Sequence, residues 1–105
     1  MAVPEISVAE LSERRAEGAP LIDVREPDEW EEFRAPGAVL IPLGDVAERI
    51  DEVPADGTVY VICRSGARSA KAVGVLRAAG VDAVNVAGGS LAWQEAGFPV
   101  ESGPA

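Results

Sequence analysis

The sequence contains no histidine. That removes Ser-His-Asp triads, Cys-His dyads and every metal site that needs an imidazole. It contains one cysteine, Cys63, so it has no internal disulfide and no thiolate cage for zinc or an iron–sulfur cluster. It has a single lysine, Lys71, and no basic run. Eighteen acidic residues against nine basic ones give a formal charge of −9, a surface that repels nucleic acid and anionic membrane. Neither is expected as a partner. No apolar run approaches the roughly 18 residues of a membrane span. Met1 to Glu5 shows no basic stretch leading into an apolar one, so no secretory signal is read there and a soluble, cytoplasmic protein is expected. The nucleotide fingerprints G-x-G-x-x-G and G-x-x-x-x-G-K-[ST] are both missing.

What is present is enough for a core. Apolar residues make up 48% of 105 residues, which suits one domain over residues 1–105. Ser7 with Glu10 predicts a capping box opening a helix that runs to about Glu17 and stops at Gly18. Leu21 to Val24 reads as a short buried strand, and Glu26 to Trp30 as a turn into a short helix with Pro27 in its first turn. Ala38 to Ile41 reads as a second strand. Asp45 is placed to cap a helix with Val46, Ile50 and Val53 on one face, ended by Pro54. Thr58 to Ile62 is β-branched and aromatic with no polar alternation, the pattern of a central parallel strand buried on both faces. A helix from about Ser69 to Ala79, a strand from Val81 to Val86, and a last helix capped by Ser90 and ending near Gly97 follow. Alternating strands and helices predict an α/β fold, a central parallel sheet with helices on both faces. Glu101 to Ala105 is expected to fray.

The chemistry points to Cys63-Arg64-Ser65-Gly66-Ala67-Arg68-Ser69, between the strongest strand and a well-patterned helix. Ligands of open parallel sheets bind at the carboxyl ends of strands, where Cys63 falls. A short loop containing Gly66 can curl and turn its N–H groups inward at a helix N-terminus, which makes an anion site. A free thiol, with pKa about 8.5, is only slightly ionised at neutral pH. Loop amides, the helix dipole and Arg64 or Arg68 would stabilise the anion in place of a histidine. Two units of pKa require roughly 2.7 kcal/mol, within reach of several charge-assisted hydrogen bonds. The bland reading of a lone cysteine ending an apolar strand is a small buried hydrophobe. Two arginines, two serines and a glycine within six residues are poor material for a core and favour a reactive thiol.

These residues resemble the rhodanese family. Leu21 to Trp30 resembles its first signature, and Pro36-Gly37-Ala38 with Ile41-Pro42-Leu43 its second. Cys63 to Ser69 is similar to the active loop of its single-domain members. Gly88 to Trp93, with Ala96 to Val100, resembles its closing signature. The resemblance implies a rhodanese-like fold and a catalytic Cys63 that takes sulfane sulfur from thiosulfate and passes it to cyanide or a thiol. A sulfur-accepting protein is a further partner of that kind. Both steps are displacements at sulfur, so no metal or organic cofactor is implied. Arg64 and Arg68 would attract the substrate's charge, and the amides from Arg64 through Ser65, Gly66, Ala67 and Arg68 to Ser69 would hold the persulfide. Phosphatases and arsenate reductases of the same fold carry C-x5-R, whereas Cys63 to Arg68 is C-x4-R.

Other residues read more simply. Asp23 and Arg25 end a strand near the expected site and are read as a structural ion pair or as support for the loop. Trp30 and Trp93 read as packing. Arg34 stands where the family usually has histidine. Four functions stay open at this point: a thiosulfate sulfurtransferase, a persulfide carrier or sensor loaded by a partner protein, a phosphatase or arsenate reductase, and a binding domain in which Cys63 is incidental.

Overall fold

A computed structural model describes residues 3–104. Five parallel strands form one sheet: β1 (Glu5–Ile6), β2 (Leu21–Asp23), β3 (Val39–Leu40), β4 (Val59–Ile62) and β5 (Ala83–Val86), in the order β1-β5-β4-β2-β3. Four α-helices, α1 (Val8–Ala16), α2 (Pro27–Glu32), α3 (Ala67–Ala78) and α4 (Gly89–Glu95), connect or close them. The predicted α/β fold with a central parallel sheet is the one observed.

Strand β4 is central, and its side chains explain why it carries no polar alternation. Val59 and Val61, with Cys63 just beyond, enter a cluster with Ala72, Val73 and Leu76 of α3. Tyr60 and Ile62 enter the opposite cluster with Leu11 of α1 and Trp93 of α4. A strand packed on both faces has no solvent side for polar residues. Burying each such aliphatic side chain contributes about 1.5–3 kcal/mol. The register Asp23↔Ile62 between β2 and β4 brings the end of β2 level with the start of the cysteine loop.

Local signals explain most boundaries. Ser7 caps α1, its Oγ accepting the Glu10 N–H at 3.1 Å, and Gly18 follows in a left-handed turn at φ +90°. Glu26 opens α2 with its N–H donating to the Glu29 carboxylate at 3.0 Å. Trp93 packs on Phe98 at 4.8 Å between ring centres and donates its indole N–H to the Pro99 carbonyl. Among the described residues no helix is long and apolar enough to cross a membrane.

Several expectations are corrected. Strand β1 had no sequence signal, being two residues long. The carbonyls of Pro4, just before it, and of Ile6, its last residue, accept the N–H groups of Asn85 and Ala87. The helix expected from Asp45 is instead two 3₁₀ turns, Leu43–Asp45 and Ile50–Glu52. The Asp45 N–H already closes a turn on the Pro42 carbonyl, so the residue is not a cap. Val46 and Val53 still reach the core, which tighter i→i+3 bonds permit in a segment closed by prolines and weakened by Gly44. Helix α3 starts two residues before Ser69, capped by Gly66, and α4 is capped by Gly88, with Ser90 inside its first turn. Within the stretch expected to fray, Glu101 exchanges backbone hydrogen bonds with Arg34, and the Gly103 N–H donates to the Glu31 carbonyl. Arg34 sets its guanidinium 4.8 Å over the Trp30 ring and donates to the Trp30 and Gly103 carbonyls. Ala105 lies outside the described residues.

Candidate functional site

Cys63 leaves β4 at its carboxyl end and is buried, while Arg64, Ser65 and Ala67 of the loop after it are exposed. The chain then turns through Gly66 at φ +111°, a left-handed conformation that L side chains rarely adopt, and enters α3. This turn carries the Gly66 N–H to 3.1 Å from Cys63 Sγ. The Ser69 hydroxyl lies 3.3 Å from the same sulfur.

The carbonyls of the loop are held elsewhere, which leaves its N–H groups for the sulfur. The Cys63 carbonyl accepts the Ser90 N–H at 2.8 Å, and the Arg64 carbonyl accepts the Leu91 N–H at 3.1 Å. Both donors belong to the first turn of α4, whose N–H groups have no partner within the helix. The approach requires Gly89, at φ +60°, where an added Cβ would stand 2.5 Å from both carbonyl oxygens. The pair Gly88-Gly89 is therefore a clamp on the cysteine loop.

Burial pushes the Cys63 thiol up. The Ser69 hydroxyl and the N–H groups of Ser69, Gly66 and Ser65 pull it down, and the outcome is a thiol below its ordinary value.

The arginines divide. Arg68 is committed to Glu29 through two parallel hydrogen bonds, Nη1 to Oε1 and Nη2 to Oε2. Arg64 has no acidic partner among the described residues and is exposed. Arg25 is fully buried and does not line the loop surface. It grips Asp23 through Nε and Nη2 and donates to the Glu29 and Phe33 carbonyls, with its guanidinium 5.3 Å from the Phe33 ring centre. Asp23, Arg25, Glu29 and Arg68 thus form one chain of contacts from β2 through α2 to α3.

Asn85 was not singled out from the sequence. Its buried amide on β5 donates to Glu5 Oε2 at 2.9 Å and to the Gly66 carbonyl at 3.2 Å, and its Oδ1 accepts from Ser69. A polar residue inside the otherwise apolar run Val84 to Val86 was the available signal. A groove of about 300 Å³ lined by Ser12, Arg15, Ala16, Pro36, Trp93 and Pro99 shares no residue with the cysteine loop.

Comparisons with known proteins bear on the family. The sequence profile described as rhodanese-like domain matches residues 7–96. A protein of Bacillus subtilis (strain 168), named "Putative sulfurtransferase YtwF", is 42% identical over 96 residues, covering 90% of this chain and 93% of its own length. A second from the same organism, named "Putative sulfur carrier protein YrkF", is 37% identical over 94 residues, covering 87% of this chain and 51% of its own length. The crystal structure of a rhodanese-related protein from Thermoplasma volcanium superposes with a TM-score of 0.88 at 35% identity, covering 93% of this chain and 97% of that one. The profile, the relatives and the fold agree: the chain belongs to the rhodanese-like domain family, among whose members are proteins named as a sulfurtransferase and a sulfur carrier.

Proposed function

We propose that the chain moves sulfane sulfur as a persulfide on Cys63. The observation that carries this reading is a buried sulfur held by the Gly66 N–H and the Ser69 hydroxyl in a chain without histidine. The Cys63 thiolate attacks the terminal sulfane sulfur of a donor ⁻S–X. A Cys63–sulfur bond forms, the bond to the donor's leaving group breaks, and that group departs with the electron pair. With thiosulfate the leaving group is sulfite. A thiolate or cyanide then attacks the outer sulfur and restores the Cys63 thiolate. Neither displacement consumes a proton once the sulfur is ionised, so neither needs a general base. The N–H groups of Ser65, Gly66 and Ser69 stabilise the anion before and after loading.

Thiosulfate is the first donor to test. Thiocyanate formation from thiosulfate and cyanide is expected in the wild-type chain and lost in Cys63→Ala. Activity surviving that substitution would remove Cys63 from the mechanism.

A second reading, a carrier loaded by a partner protein, draws support from the pairing of Arg68 with Glu29. That pairing neutralises one of the two cations available to a small dianion and leaves Arg64. The name of the sulfur-carrier relative points the same way. Negligible turnover with thiosulfate, together with one added sulfur on Cys63 by intact mass after exposure to a persulfide donor, would favour it. The short C-x4-R loop weighs against oxyanion hydrolysis. Cys63-dependent cleavage of an aryl phosphate would reverse that judgement.

A further inference from the structure

A hydroxyl carries one proton. The Ser69 hydroxyl faces two acceptors, Cys63 Sγ at 3.3 Å and Asn85 Oδ1 in a short hydrogen bond. The amide is not free to turn. Its nitrogen donates to the Glu5 carboxylate and the Gly66 carbonyl, and neither of those groups has a proton to give. Oδ1 must therefore face Ser69. Ser69, Asn85 and Cys63 are all buried, so solvent does not replace a lost bond.

With the sulfur protonated, every group is satisfied. The thiol donates to Ser69 Oγ, Ser69 donates to Asn85 Oδ1, and the amide donates to Glu5 and Gly66. With the sulfur anionic, Sγ and Oδ1 both require the same proton. We propose that Asn85 is a positioning residue that competes with the Cys63 sulfur for the Ser69 hydroxyl proton, and so disfavours the bare thiolate relative to the persulfide. In the persulfide the charge moves to the outer sulfur. Sγ becomes a two-coordinate sulfur and a weak acceptor, so Ser69 stays with Asn85 and nothing is left unpaired. The loop amides then serve the outer atom.

The charged groups on the elements packed around this sulfur are Arg64 in its own loop, Arg68 on α3 with Glu29 on α2, the Asp23–Arg25 pair at the end of β2, and Glu5 on β1 behind Asn85. Asn85→Ala removes none of these charges, though it takes away the amide donor to Glu5 and to the Gly66 carbonyl, a change that the Ser69→Ala background carries equally.

This inference rests on Cys63 being the sulfur-bearing nucleophile, and one experiment separates the two claims. The rate of Cys63 alkylation is measured against pH in the wild-type chain, in Asn85→Ala, in Ser69→Ala and in the double variant. The midpoint is expected to fall by about one pH unit in Asn85→Ala, the effect of one charge-assisted hydrogen bond returned to the sulfur. In the Ser69→Ala background, Asn85→Ala is expected to move it by no more than a few tenths of a unit. A midpoint unchanged or raised in Asn85→Ala, or lowered equally without Ser69, overturns the proposal. A wild-type midpoint at the position of a free thiol would instead sink the underlying reading of Cys63.

A measurement on the unsubstituted chain covers the case in which Asn85→Ala does not fold. The Ser69 hydroxyl proton is expected as a protected low-field NMR resonance while Cys63 is still protonated. A resonance that moves to low field only as the sulfur ionises overturns the competition.

Discussion

Glu29 and Arg68 lie 39 residues apart and meet through two parallel contacts, 2.7 Å between Oε1 and Nη1 and 2.8 Å between Oε2 and Nη2. A planar guanidinium facing a carboxylate in this way fixes both orientation and distance. The pair locks α2 to the first turn of α3, and hence to the loop that carries the sulfur.

The first prediction follows from this pair. The Arg68 hydrogen bonds draw the Glu29 carboxyl down to about 2, against the smaller upward push of burial. A folded value below the unfolded one means stability that is complete above about pH 5 and lost as pH falls toward 2. Chemical denaturation of the wild-type chain should therefore show a falling midpoint across that window. Glu29→Gln should flatten this acid limb, and at pH 7 should cost about 1 kcal/mol, because Arg68 is partly exposed and the pair is screened. An acid limb identical in the two chains would show that the pair adds nothing.

A second prediction concerns Arg25, whose guanidinium is wholly buried against Asp23. Replacing it by methionine keeps much of the volume. It leaves Asp23 as an uncompensated buried charge and the Phe33 carbonyl without its donor. Breaking one partner of a buried pair typically costs about 3–5 kcal/mol. Thermal unfolding should show that loss in Arg25→Met, whereas the double change Asp23→Leu with Arg25→Met should recover a large part of it. A double variant no more stable than the single one would mean that the contacts to α2, not the ion pair, carry the effect.

These two arginines also show what the sequence made legible. Four of the five strands, the parallel sheet and the loop from Cys63 to Ser69 followed from local composition: β-branched runs, a glycine-bearing turn and a patterned helix. Arg25 was read as a structural ion pair with Asp23 or as support for the loop, and Arg68 as a cation that attracts the substrate. Only the path of α2 decides that one is sealed under Phe33 and the other is held by Glu29. Asn85 was illegible for a related reason. A single polar residue in a strand says nothing about its partners, and its partner Glu5 sits on a strand too short to announce itself. The 3₁₀ turns after β3 preserved the predicted buried valines while replacing the predicted helix, because burial constrains which residues point inward and leaves the hydrogen-bond spacing to prolines and glycines nearby.

A third prediction tests the clamp behind the loop. An alanine at position 89 would adopt a left-handed backbone and drive its Cβ into the Cys63 and Arg64 carbonyls, at 2.5 Å. Backbone atoms on both sides cannot move aside cheaply. Gly89→Ala should cost about 3 kcal/mol or more, combining backbone strain with displacement of the loop. Gly57→Ala is the control, since its added Cβ meets nothing within 4 Å and its φ is not positive. It should unfold within about 0.5 kcal/mol of wild type. Equal denaturation midpoints for the two variants would mean that the loop yields without resistance.

The last prediction concerns the sulfur itself. Its low pKa arises from donors that oppose a real desolvation cost, so burial and ionisation act on different observables. Burial slows the approach of any reagent, and absolute alkylation rates can fall below those of a free thiol even when more thiolate is present. The midpoint of the pH profile does not depend on access. Titrated with a small uncharged alkylating agent, Cys63 should show a midpoint below the ordinary thiol value, its rate falling as pH drops through that point. Ser69→Ala removes the hydroxyl that faces the sulfur, and the remaining amides of Ser65, Gly66 and Ser69 should still hold the midpoint below that of a free thiol. If Ser69→Ala alone restores the free-thiol midpoint, the amides contribute little, and the loop geometry imposed by Gly66 and Gly89 would have no bearing on the charge of the sulfur.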